Sequence, residues 1–533
     1  MTGPSFTVKW MLGAERLGGD GGFVEVSGKE GLTFSGLVDL RAEQGEVGML
    51  LLDPRNLTIQ TTGPTTAAPS GSPVNLFQSN GNDDVLTVAD LVAALALASV
   101  TVQTGSIGGQ DGNLTVANAV TWAGGNSLTL LALNDITINA EIINTGTGNL
   151  TLKTDTATGT GNIAIGGALT MSGGNLSILA KGTVSQSAVL TAGVLTLNGA
   201  GAIHTLDTQN NNVTTLAGNT GSVSFRDDNG FEVGVLTATG NVTLSSTAAV
   251  TQTGVLTAAN LSLNGTGGAY DLGTENNTIT TLSANTGSVD FREDGNYNVG
   301  ATTVTGSLTL RSTGTVTGTG VLTASALDLQ GGGGSYALNT QNNNVTTLTA
   351  NTGSVNYLDA DALEVGATGI TTSGAGGITL SSNGGILNVT NALSASGAGN
   401  VVLNVGQSAV GTLNLSGSQS LGMGALSINT GNSGSTVNIT RLDVAATLNG
   451  GTGADTVNLG GLGGAGDLTA INAGISFNSG AGADVLLVND TAGTGGRTYV
   501  LEAGSVQVGA ITHSFNAALE TLNISSSDTG RIR

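Results

Sequence analysis

The side chains able to do chemistry are few and widely spaced. Arg226-Asp227-Asp228, Arg292-Glu293-Asp294 and Asp359-Ala360-Asp361 place carboxylates, twice beside an arginine, just after an alternating apolar strand. Clustered carboxylates with a cation equip a site for acid–base cleavage of acidic polysaccharides, so a β-helix lyase or hydrolase is the enzymatic alternative. The three groups recur from 227 to 293 to 359, a constant offset of 66, and the third has Leu358 in place of the arginine. Sites three turns apart at ~4.8 Å per turn cannot act on one bond, and these are read as solvated acidic turns. His204 and His513 are the only histidines, and His204 aligns with Tyr270 and Tyr336, which marks a packing position. Gly450-Gly451-Thr452-Gly453-Ala454-Asp455-Thr456-Val457-Asn458 fits the nonapeptide that stacks calcium ligands, and Gly480-Ala481-Gly482-Ala483-Asp484 echoes it. Isolated copies lack most of the ligands, so Asp455 and Asp484 are read as structural turn residues. No nucleophile-elbow, zinc-protease or phosphate-loop pattern has a supporting context. The reading assigns no catalytic, cofactor-binding or metal-binding residue, and no cofactor.

Composition narrows the partners. The 533 residues carry a formal charge of −22, with 14 Lys and Arg scattered singly, so no basic patch exists to neutralise phosphates and no nucleic-acid partner is expected. Cysteine is absent, which removes disulfides and thiolate chemistry together. Only 9% of residues are charged and 3% aromatic, while glycine numbers 87. A mean hydropathy of +0.20 argues against disorder, which needs low hydrophobicity. The longest apolar stretch, residues 91–100, is too short to span a membrane as a helix. Residues 1–17 hold no basic stretch followed by an apolar one, and the chain reads as a length cut from a longer protein.

The elements that position these residues come from an internal repeat. Segments starting at Val194, Asn260 and Ala326 align without gaps over residues 194–234, 260–300 and 326–366, again offset by 66. Strand-like triplets ending at Leu197, Phe225, Leu244 and Leu263 suggest successive steps of 28, 19 and 19 along the chain, hence three turns per repeat. The nine extra residues fall around 208–216, 274–282 and 340–348. These are expected to bulge on one side once every three turns and, with Asp227, Glu293 and Asp359, to form a tolerant polar ridge. A Gly-Asn pair before an apolar–polar–apolar triplet recurs, as in Gly112-Asn113-Leu114-Thr115-Val116 and Gly148-Asn149-Leu150-Thr151-Leu152. Gly and Asn suit the positive φ of a tight corner, and alternation turns Leu inward and Thr outward. The same grammar produces Asn-x-Thr/Ser sequons automatically, among them Asn149, Asn212 and Asn241. About 26 turns of roughly 20 residues are expected. One helical pattern appears: Val88, Leu91, Val92 and Leu95 share a face, with Thr87-x-x-Asp90 as a capping box.

Residues 18–152 resemble the filamentous haemagglutinin-type exoproteins of two-partner secretion. The resemblance rests on Gly19-Asp20-Gly21-Gly22-Phe23-Val24-Glu25-Val26-Ser27-Gly28-Lys29, on Val38-Asp39-Leu40-Arg41-Ala42 and on Leu50-Leu51-Leu52-Asp53-Pro54-Arg55-Asn56-Leu57-Thr58-Ile59. Val100-Thr101-Val102-Gln103-Thr104, Val120-Thr121-Trp122 and Ser127-Leu128-Thr129-Leu130 continue it. Toward the C-terminus, Gly496-Arg497-Thr498-Tyr499-Val500-Leu501 and Leu519-Glu520-Thr521-Leu522-Asn523-Ile524 look like units of long bacterial repeat proteins. The family's own secretion domain is not recognisable here. What the resemblance implies is a right-handed β-helix, export through an outer-membrane two-partner secretion transporter, and adhesion.

The sequence therefore predicts an all-β, elongated right-handed parallel β-helix (solenoid) with one short packed helix near residues 88–98. Its segments are 1–60 (β-helix resembling the exoproteins), 61–83 (loop or interruption), 84–192 (β-helix with the helix), 193–366 (the 66-residue repeats) and 367–533 (irregular Gly-rich solenoid repeats). The expected function is a non-catalytic, secreted or cell-surface adhesive stalk outside a Gram-negative bacterium, binding an unidentified host or bacterial surface ligand. The alternatives are the polysaccharide lyase or hydrolase and a calcium-stabilised surface-layer or biofilm matrix protein.

Overall fold

Alternating triplets close into a coil only if each turn lies in register on the one before it. The computed structural model describes residues 24–26, 50–79, 81–107, 111–155, 161–494, 496–527 and 531–533. It is a parallel β-solenoid of about 18 turns, 60% strand, with one α-helix. Residues 27–29 and 38–42, part of the exoprotein-like stretch, lie outside the described residues, as do residues 19–23. Two compact units are present, Met1–Ala259 and Asn260–Arg533, and the 66-residue repeats straddle their boundary.

In the first unit three inward columns form the core. Leu114, Ile136, Ile163, Val184, His204, Val223 and Val242 stack in one parallel register. Val100, Leu128, Leu150, Leu176, Leu195, Leu216 and Val233 make the second, and Val120, Ile142, Leu169 and Leu190 the third. Nearly every one of these side chains is fully buried, each contributing about 1.5–3 kcal/mol. Within a strand the alternation is strict: Leu150, Leu152 and Thr154 point in, Thr151 and Lys153 out.

The second unit continues in the same way. Tyr270, Val289, Leu308 and Leu327 share one column, and Val355, Ile378, Val401, Leu426, Ala446 and Ile475 another. The turn is shortest in the repeats, where Val289 pairs with Leu308 and Leu308 with Leu327. Later turns lengthen, from Leu403 to Ile428 and from Leu459 to Val488. The sequence-based figure of 26 is therefore too high, because it extends the short turn of the repeats to the whole chain.

The helix Val88–Leu95 forms where the periodicity places it. Thr87 caps it by accepting the Asp90 N–H, and Leu91, Ala94 and Leu95 are its buried face. It belongs to an excursion. Strand Leu57–Gln60 is flanked by Asp84–Thr87 on one edge and by Leu114–Val116 on the other. Residues 61–83 are not all loop, since Ala68–Ser70 and Leu76–Gln78 form an antiparallel hairpin whose second strand joins Val100–Gln103.

The corners obey the expected reason at some positions and a different one at others. Gly112 does take a positive φ, 76°, but Gly148 does not. There the constraint is contact: a Cβ would lie 2.0 Å from the Asn126 carbonyl oxygen in the turn beneath. The asparagines carry the hydrogen bonds that the strands cannot. Ser127 N–H donates to Ser99 Oγ at 2.9 Å, Asn149 N–H to Ser127 Oγ at 3.0 Å, Asn175 N–H to Asn149 Oδ1 at 2.8 Å and Val194 N–H to Asn175 Oδ1 at 2.9 Å. A second corner runs through Asn56, Asn113, Asp135 and Asn162 in the same sense.

Gly148→Ala forces two turns apart at this contact and should cost about 1–3 kcal/mol, whereas Asn149→Ala, which removes one acceptor at an exposed corner, should cost about 0.5–1.5 kcal/mol. Urea denaturation of the two variants measures the order; a milder Gly148→Ala would show that the corner yields.

Candidate functional site: buried carboxylates and amide ladders

The acidic turns are solvated only in part: Asp228 and Asp294 are half-buried and Asp361 is exposed, but the first acid of each turn is not. Asp227, Glu293 and Asp359 are 0%, 5% and 0% exposed, and each accepts the backbone N–H of the residue 14 positions earlier. Val213 donates to Asp227 at 2.7 Å, Ile279 to Glu293 at 2.9 Å and Val345 to Asp359 at 3.0 Å. A buried asparagine works beside each one. Asn211 Nδ2 donates to the carbonyls of Leu206 and Arg226, Asn277 to those of Leu272 and Arg292, and Asn343 to those of Leu338 and Leu358, all between 2.7 and 3.1 Å. The nine-residue excess is thus clamped from both sides by an amide and a carboxylate. Its backbone runs into the strands Asn212–Arg226 and Thr281–Arg292 and through Leu322–Asp359, while residues 207–211 and 273–280 lie between strands. The asparagines recur at 211, 277 and 343, and that internal recurrence was the legible signal.

Within the second unit the acidic turns do not line up as a ridge, because the 66-residue period is not a whole number of turns. Leu197 stacks between Ile178 and Gly218, while Phe225 stacks between Leu206 and Leu244. The 28-residue step therefore moves from one column to another. In the second unit, the outward column Asp290, Thr309 and Asp328, next to Phe291, Leu310 and Leu329, is continued by Thr349, whose hydroxyl donates to Asp328 at 2.8 Å. Tyr357 instead lies in the column of Leu380 and Leu403, and Ser354 in the same strand touches Ser335 at 2.9 Å. Glu293 and Asp359 consequently sit on different columns.

The remaining candidates also serve the fold. Arg226 pairs with Asp228, and Arg292 with Asp294 at 2.7 Å. Arg311 grips Asp290 through two bonds of 2.8 Å. These pairs are partly exposed and add little stability. His204 is fully buried, and burial pushes it down to about 4 against the opposing effect of the Asn198 backbone. It fills the position that Tyr270 and Tyr336 fill elsewhere, where each hydroxyl donates to a carbonyl at 2.6 Å. His513, also buried and pushed down to about 4, accepts the Ile475 N–H at 3.3 Å. Asp455 and Asp484 stack on consecutive turns and accept backbone N–H groups. No cluster of three or more metal-ligating side chains suited to a metal ion is found among the described residues.

Two amide ladders went unread in the sequence. Asn414, Asn438 and Asn458 each donate Nδ2 to the asparagine one turn back, beginning at Asn388, at 2.7–2.8 Å. Asn429, Asn449 and Asn478 do the same, beginning at Asn404, at 2.8–2.9 Å. Their signal was the apolar–Asn–apolar triplet, as in Leu403-Asn404-Val405 and Leu413-Asn414-Leu415, recurring at uneven intervals in the stretch read as irregular.

Stacked turns with corner asparagines and buried clamps define a repeat β-solenoid. Residues 220–286 and 284–352 match, as two tandem copies, a family model described as repeats of unknown function (DUF5649). Each copy contains one carboxylate turn and the next buried asparagine, so the family's repeat coincides with the 66-residue period. No curated protein matches the chain.

The clamps set a pH dependence. Burial raises Glu293 to about 7 from 4.5 and Asp359 to about 6 from 3.8, and raises Asp227 as well. A raised acid is stabilising when protonated, so this contribution is complete below pH ~4 and is lost as pH rises through 6–7. Denaturant midpoints should fall between pH 5 and pH 8. Glu293→Gln keeps an acceptor for Ile279 N–H and should flatten the fall by on the order of 2 kcal/mol, at about 1.4 kcal/mol per unit. A midpoint that rises with pH, or a Gln variant with an unchanged profile, would contradict the clamp.

Proposed function

We propose that this chain is a structural and adhesive length of a secreted or cell-surface protein and carries out no catalysis. One observation carries the reading: in each recurring acidic turn one carboxylate, Asp227, Glu293 or Asp359, is buried against a backbone N–H and closes a corner, while Asp228 and Asp294 are held by Arg226 and Arg292. What faces outward is a lattice of small polar side chains, such as the column Thr115, Thr137, Ala164, Ser185, Thr205, Ser224 and Thr243. A repeating face of this kind suits many weak contacts acting together. The resemblance of residues 18–152 to haemagglutinin-type exoproteins supports the finer reading. On that reading the protein is exported through an outer-membrane two-partner secretion transporter, displayed on a Gram-negative cell and attached to a host or bacterial surface ligand.

Beads coated densely with the chain should be retained on cell layers, while sparse coating should lose retention more than proportionally. Incubation with acidic polysaccharides should release no unsaturated or reducing ends; new ends would favour the lyase or hydrolase. For the calcium-stabilised alternative, chelator should move the melting temperature by less than about 2 °C, and a large drop would establish Asp455 and Asp484 as ligands.

A further inference from the structure

The last turns of the second unit hold a column of acids that the fold alone does not require. The register Val457 to Leu486 to Leu522 sets Asp455, Asp484 and Glu520 at equivalent corners of three consecutive turns. Ser435 N–H donates to Asp455 at 2.7 Å, Asp455 N–H to Asp484 at 2.8 Å, and Asp484 N–H to Glu520 at 2.7 Å. Asp455 is otherwise satisfied, since its Oδ2 accepts the Thr430 hydroxyl at 2.8 Å and the Gly451 N–H at 3.3 Å. Asp484 is not. It is 0% exposed, and its Oδ2 has no hydrogen-bond partner.

The surroundings offer no compensation. The four stacked corners, residues 431–435, 450–455, 479–484 and 516–520, contain no Lys, Arg or His. Asp484 is faced by Asp455 from one side and Glu520 from the other. The ion pair of Arg497 with Asp490 lies at the far end of strand Val485–Asp490. The turn bearing Glu520 is lightly held: its strand Thr521–Ser526 has no fully buried residue and pairs with Val485–Asp490. By contrast, Leu486 and Val488 beneath it are 0% exposed.

We infer that this column is a proton-operated latch: protonated Asp484 keeps the turn bearing Glu520 docked, and its ionisation releases that turn. Ionised, Asp484 puts a charge on a buried oxygen with no donor, between two carboxylates about 4.8 Å per turn away. The cheapest relief is for the final turn to lift, which hydrates Asp484 and moves Glu520 off. Burial already holds Asp455 and Asp484 above the usual carboxylate range. Undocking uncovers Leu486, Val488 and a parallel strand edge. The latch does not depend on the adhesive reading.

Hydrogen exchange on the full chain, corrected for intrinsic rates, tests it. From about pH 5 to about pH 8.5, protection of residues 516–526 should fall at least ~tenfold, while residues 426–459 change less than ~twofold. Asp484→Asn retains an acceptor for Asp455 N–H and should keep residues 516–526 protected across the range. Glu520→Gln, at an exposed position, removes one flanking charge and should shrink the fall, which keeps the test decisive if the first variant misfolds. Equal loss in both segments, or an undiminished fall in either variant, would overturn the latch.

Discussion

Every turn of this solenoid must find an acceptor for the backbone N–H groups at its corners, and the rest of the structure depends on how it does so. Along a straight strand the next turn supplies a carbonyl; where the chain bends, that register is lost and a buried N–H left unpaired is costly. The chain meets the need with side chains: Ser99, Ser127, Asn149 and Asn175 at one corner, Asn56, Asn113, Asp135 and Asn162 at another. The buried acids Asp227, Glu293 and Asp359 are the same device where the acceptor must reach inside. Asparagine is the default because it accepts without a charge. An acid there accepts more strongly but must be desolvated, and its proton affinity rises accordingly.

The core needs little beyond register. Columns of Leu, Val and Ile repeat turn after turn, with single exceptions such as His204 between Val184 and Val223. A parallel array of this kind couples each turn mainly to its neighbours, so stability is close to a sum over turns and their interfaces. That is why the C-terminal corners can soften without involving Phe291 or Leu310. It is also why a charge column in three turns has local consequences.

The functional reading follows from where the polar groups were spent. Catalytic acids need an accessible position and a partner proton path; Asp227, Glu293 and Asp359 have backbone partners within the wall, and Asp228, Asp290 and Asp294 are paired with arginines. The outward surface carries these ion pairs, hydroxyls and amide ladders such as Asn388 through Asn438. The match of the tandem copies to a family of uncharacterised repeats agrees with that repetition and goes no further.

How much was legible in the sequence depended on whether the deciding interaction was local. Alternation of apolar and polar residues, the offset of 66 and the amphipathic run from Val88 to Leu95 are properties of neighbouring residues, and from them the parallel β-solenoid and its packed helix could be read. Gly-Asn marked the corners correctly, though the reason at Gly148 proved to be the Asn126 carbonyl of another turn rather than its own φ. Whether an acid faces water or the wall depends on residues 14 positions away in chain and adjacent only after coiling, so Asp227, Glu293 and Asp359 were misplaced. The column on which a repeat lands depends on the ratio of 66 to the turn length. That ratio is set by how corners close in three dimensions, and no inspection of one strand contains it. The sequence by itself determined that the chain coils and what each turn buries; only the tertiary structure decided which turns meet, and therefore which polar groups are structural, because stacking brings together residues that the chain keeps apart.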